Sequence, residues 1–314
     1  MPIMELTRPA PFHPPFWARG PHAQTIFSHL WKSTWPALPW EPDYLEVEPG
    51  ETLRLEVAPG HTDTVVIFFH GLGGHAGSSY LQRNAGLAAA RGHGVIAVNH
   101  RGSGLGRGLA RKPYHCGSTG DVAAVIGHAR RRFPGKRILA VGFSLSAAML
   151  VLLLGRDRHL EQPDAAMAVN PPGDLEACSQ RLIRGLNRLY DRRFLRLLKA
   201  HVQGRPDAPP LPPMATLRDF DECYTAPQAG FRDRADYYTQ SSCGQHLAQV
   251  QTPLVLLTSK DDPFAPASDL GPVSARVHCH IEAHGGHCGF LGATPQGHLR
   301  WMDYAVDHYL AQLG

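Results

Sequence analysis

The chain has 314 residues, enough for one large domain or two small ones, and is 43% hydrophobic and 18% charged, the balance of a globular protein with a sizeable core. Thirty-one basic against 27 acidic side chains leave a formal charge of +4, too small an excess to mark a nucleic-acid binder. Six cysteines form no C-x-x-C pair and no compact framework, so they read as free thiols of a reducing compartment.

Met1–Gly20 is rich in proline and aromatics and lacks an apolar run, so no signal peptide is read there. The longest apolar run, Ala147–Leu154, is far short of the roughly 18 residues that span a bilayer. The expectation is a soluble, cytoplasmic protein, with a peripheral membrane contact left open.

The elements follow in order. Tyr44–Val47 and Leu53–Val57 alternate apolar and polar residues, the period of half-buried strands, and predict an antiparallel edge. Thr64–Phe69 and Val95–Val98 are continuously apolar, as strands covered on both faces are. Helices are predicted over Ser78–Arg91 and Ser118–Phe133. The second is expected to be capped by Ser118 with Asp121 three residues on. A strand over Ile138–Phe143, a helix over Leu145–Leu154 and a short strand over Ala165–Val169 come next. This alternation predicts an α/β fold with a mainly parallel sheet flanked by helices.

From Pro171 to Val250 the pattern changes. Ser179–His201 reads as one amphipathic helix, with Leu182, Ile183, Leu186, Leu189, Tyr190 and Leu197 on its apolar stripe and arginines opposite. The arginine face reads as solvated, with the stripe turned toward a site below. Alternation resumes with Leu254–Leu257, Val277–Ile281 and a final helix from about Gln296 to Leu313. The expected organisation is a core built from residues 1–170 and 251–314, interrupted by a helical cap insertion over 171–250.

Four loops carry the chemistry. Gly142-Phe143-Ser144-Leu145-Ser146 lies between a predicted strand and a predicted helix, the setting of a nucleophile elbow, although G-x-S-x-G here ends in serine. His70-Gly71-Leu72-Gly73-Gly74 follows the third strand. In such a fold the backbone N–H groups expected at an oxyanion hole are those of Leu72 and Leu145. Asp262, with proline four residues on, is the preferred acid after a late strand, and Asp261 is its alternative. His287, in His284-Gly285-Gly286-His287, is the preferred base, with His284 as alternative. Serine, aspartate and histidine in this chain order are the order of α/β-hydrolases.

The chain also resembles the YheT-like branch of α/β-hydrolases, which includes plant embryogenesis-associated proteins and mammalian α/β-hydrolase-domain proteins. The resemblance is carried by Pro21-His22-Ala23-Gln24-Thr25-Ile26, the His70–Gly74 loop, Asn99-His100-Arg101-Gly102, Tyr114-His115-Cys116-Gly117 and Gly142-Phe143-Ser144-Leu145. Further on it is carried by Phe220-Asp221, Thr225-Ala226-Pro227, Gly230-Phe231, Tyr237-Tyr238, Asp261-Asp262-Pro263-Phe264 and His284–His287. It implies the α/β-hydrolase fold and hydrolysis of small-molecule or lipid carboxylic esters by Ser144, Asp262 and His287, with no cofactor. The departure is Ser146-Ala147, where the family usually shows Gly-Gly.

Rival readings are weighed against this one. His278, His280, His284, His287 and Cys288 crowd one segment and could suggest zinc, but they match no standard ligand spacing, so no metal is expected. A non-catalytic binding protein on the same fold is a second rival. An acyltransferase, lipase or peptidase using the same residues is a third.

Overall fold

The run TVVIFF shows how this sequence builds a sheet. Successive side chains of a strand point to opposite faces, so Val65, Ile67 and Phe69 enter one apolar cluster while Val66 and Phe68 enter another. The computed structural model describes residues 6–30, 37–204 and 208–314. Met1–Glu5, part of the segment read for a signal peptide, lies outside them.

Eight strands form one sheet: β1 (Glu41–Glu48), β2 (Glu51–Ala58), β3 (Thr64–Phe69), β4 (Gly94–Asn99), β5 (Arg137–Phe143), β6 (Ala165–Val169), β7 (Leu254–Ser259) and β8 (Val277–Glu282), in the order β1-β2-β4-β3-β5-β6-β7-β8. β1 and β2 are antiparallel, as is β2 against β4, and the remaining pairs are parallel. A ten-residue helix α1 (Pro21–Leu30) precedes the sheet; the sequence reading had no element there. Helix α2 (Ser79–Ala90) covers one face together with the C-terminal helix, and α3 (Thr119–Arg132) and α4 (Leu145–Gly155) cover the other. Every residue of α4 is buried, which explains its apolar run Ala147–Leu154.

Between β6 and β7 the chain forms α5 (Leu175–Leu182), α6 (Arg188–Gln203), α7 (Leu217–Phe220), a π-helical turn over Asp221–Thr225, α8 (Ala226–Gln228) and α9 (Arg234–Ser241). Apolar side chains of α5, α6, α7 and the π-helical turn form a third cluster with Phe264 and Ala265, while Ala226 of α8 and Tyr237 and Tyr238 of α9 join the first. The last helix is α10 (Trp301–Leu313).

Three expectations are corrected. The helix over Ser179–His201 is two helices, because Gly185 takes a left-handed φ of 50° between them and Asp174 caps the first from further upstream. The buried stripe changes with it: Leu186 and Leu189 are exposed, while Leu195, Leu198 and Val202 join Leu182 and Tyr190 inside. The final helix begins at Trp301, because Gly297 (φ 82°) sits in a turn closed by the Thr294 N–H on the His298 carbonyl. Ser118 does not cap α3. Its hydroxyl accepts from the His115 N–H, and Asp121 is engaged by Arg101 at 2.6 Å.

The six cysteines are unpaired. Among the described residues, no helix is long and apolar enough to cross a membrane.

Candidate active site

Ser144 sits between the end of β5 and the start of α4 with φ 54° and ψ −118°, a conformation that costs of order 1–3 kcal/mol in a non-glycine residue. Neighbouring glycines make the tight turn possible. A Cβ on Gly142 would meet the Ser146 carbonyl oxygen at 2.5 Å, and one on Gly71 would meet the Ser144 Cβ at 3.0 Å. The strained turn is over-determined by its surroundings, with the Ser144 N–H held by the Val169 carbonyl at 2.8 Å.

Ser144 Oγ lies 2.8 Å from His287 Nε2, and His287 Nδ1 lies 2.6 Å from Asp262 Oδ2. A carboxylate only accepts, so the imidazole proton belongs on Nδ1, which leaves Nε2 to accept from the Ser144 hydroxyl. Asp262 is buried and also receives the Phe264 and Ala265 N–H groups and the Asn170 amide at 2.9–3.1 Å. Burial pushes the Asp262 carboxyl up, but the charge and hydrogen bond of His287 and the two N–H groups together hold it below its usual value.

The alternatives read from the sequence form their own pair. Asp261 Oδ1 receives the Gly286 N–H at 2.9 Å, and His284 Nδ1 stands 3.4 Å from Asp261 Oδ2. That pair supports the histidine loop without reaching Ser144.

Residues that the sequence reading did not place in the site brace it. Asn170 (φ 49°) donates to Asp262 and to the Gly286 carbonyl, and its Oδ1 accepts from the Cys288 N–H. Gln24 of α1, fully buried, bonds the Ala18 carbonyl and both backbone groups of Leu291. The unassigned string Pro21–Ile26 is thus packed against the histidine loop. The i, i+3, i+7 spacing of Ala23, Ile26 and Leu30 is the trace of a helix that the sequence offers there.

In the loop after β3, the Gly71 N–H donates to Tyr80 Oη at 2.9 Å and the Gly73 N–H to Tyr114 Oη at 2.7 Å. The N–H groups of Leu72 and Leu145 donate to no described residue. Tyr114, which the sequence reading gave no catalytic role, therefore holds this loop.

Two openings meet at Ser144 and His287. One is a mostly apolar cavity of about 110 Å³ under the inserted helices, lined by residues such as Leu182, Leu198, Leu217, Phe220 and Phe264. The other is a groove between α1, α6 and the Gly71–Ser78 loop, bearing Arg83, Arg193 and Arg300.

The crowded histidines serve other partners. His280 bonds Tyr309 Oη at 2.6 Å and Glu282 at 2.7 Å, and His278 reaches the same tyrosine at 3.3 Å. Among the described residues, no three His, Cys, Asp or Glu side chains converge as metal ligands.

A family profile described as the alpha/beta hydrolase family matches residues 66–297. The YheT protein of Escherichia coli is 30% identical over 92% of this chain and 89% of its own length. Phospholipase ABHD3 of Mus musculus is 26% identical over 95% of this chain and 78% of its own. An esterase of Pyrococcus furiosus superposes with a TM-score of 0.60 at 15% identity, covering 90% of this chain and 98% of that one, a likeness of fold alone.

Proposed function

The chain belongs to the alpha/beta hydrolase family, among relatives of YheT, and from that premise we propose that it is a serine esterase cleaving carboxylic esters through Ser144, His287 and Asp262. The observation that carries this reading is the unbroken hydrogen-bonded chain from Ser144 Oγ through His287 to buried Asp262, at 2.8 and 2.6 Å. The name phospholipase carried by the mouse relative is consistent with ester substrates.

In this reading Ser144 Oγ attacks the ester carbonyl while His287 Nε2 takes its proton. The carbonyl π electrons move onto oxygen, where the N–H groups of Leu72 and Leu145 stabilise the anion. The tetrahedral adduct collapses, and His287 returns the proton to the departing alcohol. Water, deprotonated by His287, then attacks the acyl-enzyme and releases the acid and Ser144. Asp262 holds the imidazole tautomer and stabilises the imidazolium. No cofactor enters the sequence.

The apolar cavity supports the acyl side of the ester. A dry 150 Å³ cavity elsewhere accommodates benzene, so about 110 Å³ suits an acyl chain of roughly four carbons. The groove on the other side suits the alcohol. Hydrolysis of p-nitrophenyl esters from acetyl to dodecanoyl, run beside S144A, tests the reading. Turnover with a short-chain optimum, abolished in a folded S144A protein, is expected; turnover retained in S144A overturns it.

A further inference from the structure

Ser146 stands two residues after Ser144, where glycine is usual, and it is fully buried. Its hydroxyl donates to the His70 carbonyl at 2.5 Å and lies 2.8 Å from His100 Nε2. A hydroxyl has one proton. With that proton committed to the carbonyl, the Ser146 oxygen must accept, so His100 carries its proton on Nε2.

The second imidazole is fixed by the same accounting. The His100 backbone N–H donates to His70 Nε2 at 3.3 Å, which places the His70 proton on Nδ1, facing the Gly71 carbonyl at 2.8 Å. The path from His100 Nε2 through Ser146 Oγ to the His70 carbonyl therefore has one proton arrangement, and the His70 ring, accepting at Nε2 and donating at Nδ1, is neutral. Burial favours the neutral form of both rings: it pushes His100 down to about 3 and, with His100 alongside, holds His70 well below its usual value. His100 is stacked on Tyr114 at 5.0 Å, and its Nδ1 has no partner among the described residues. The ring's side-chain hydrogen bonding is thus directed to Ser146.

We infer that Ser146 and His100 are positioning residues for the oxyanion donors. The inference rests on the esterase reading above. Leu72 lies on the loop after β3 and Leu145 on the first turn of α4, so the two N–H groups belong to separate elements. The Ser146 hydroxyl bonds one element to the other at His70, two residues before Leu72. Donors of this kind must meet the oxygen as it becomes an anion, so a small displacement weakens the transition state more than the bound ester. The serine at the elbow replaces the conformational ease of glycine with a hydrogen bond into the facing loop.

The test compares wild type with S146A, S146G and H100F on p-nitrophenyl butyrate. It also measures inhibition by butylboronic acid, whose boron takes up Ser144 Oγ to become a tetrahedral anion. S146A and S146G are expected to lower kcat about 10- to 100-fold, below the loss for deleting a donor outright, with KM within about twofold. Boronate affinity should fall by the same factor as kcat/KM. H100F keeps a flat ring beside Tyr114 and should lower kcat in the same direction, less steeply. Folded S146A or S146G turning over at the wild-type rate, or a rise in KM with kcat unchanged, overturns the inference. The esterase reading fails separately, if S144A keeps its turnover.

Discussion

The backbone N–H of His287 donates to the Thr25 hydroxyl at 2.9 Å, joining residues 262 positions apart. Thr25 in turn donates to the Pro21 carbonyl at 2.8 Å. Helix α1 thereby anchors the histidine loop against the sheet edge. Gly286 is what allows this approach: at φ 56°, a Cβ there would meet the Pro21 oxygen at 2.5 Å.

Replacing Thr25 by valine keeps the shape and removes the acceptor. The proposed esterase should lose about tenfold in kcat, within the range of a misplaced catalytic group, while its melting temperature falls by only a few degrees. G286A should be more damaging, because no rotamer relieves a backbone clash. Steady-state kinetics beside thermal melts decide it; unchanged kcat in T25V would show that α1 does not hold His287.

Asp262 and Asp261 should respond differently to loss of charge. D262N places an amide where the imidazole needs an acceptor, favours the wrong tautomer, and should lower kcat by about 10⁴. D261N weakens a loop contact and should cost less than about tenfold. Comparable losses in the two variants would contradict the role given to Asp262.

Asp221 makes a pH-dependent contribution to stability. It is buried, and burial pushes its carboxyl up to about 6 against the hydroxyls of Thr225 and Tyr238. The folded state therefore holds this proton more tightly than the unfolded chain. Stability is present at low pH and is lost as pH rises from about 4 through 6, by about 3 kcal/mol in all. D221N removes that slope, so its melting temperature relative to wild type should be higher at pH 8 than at pH 4. Parallel melting curves across that range would sink the prediction.

Leu198 narrows the apolar cavity. L198A should move the ester optimum toward longer acyl chains and should cost about 2–5 kcal/mol of stability. The ester series used for wild type checks the shift. An unmoved optimum would place the acyl group in the groove instead.

Much of the fold was legible because periodicity reports burial directly. The apolar runs Thr64–Phe69 and Leu145–Leu154 could be satisfied only by elements covered on all sides, and the strands from β3 to β7 follow them closely. Helix ends were less legible. Gly185 and Gly297 break helices through their φ, which composition alone does not reveal. Leu186 and Leu189 fitted an apolar stripe only as long as the helix was taken to be unbroken.

The sequence by itself determined which groups are available and in what order: a serine between strand and helix, a glycine-rich loop after the third strand, an aspartate and a histidine after later strands. Local rules of spacing and turn chemistry suffice for that. The tertiary structure brings Asp262 rather than Asp261 to His287, and His287 rather than His284 to Ser144, because these distances run between the ends of separate strands. It also decided what Ser146, Asn170, Gln24 and Thr25 do. Their hydrogen bonds join residues far apart in the chain, and such bonds exist only once the sheet has brought its strand ends together.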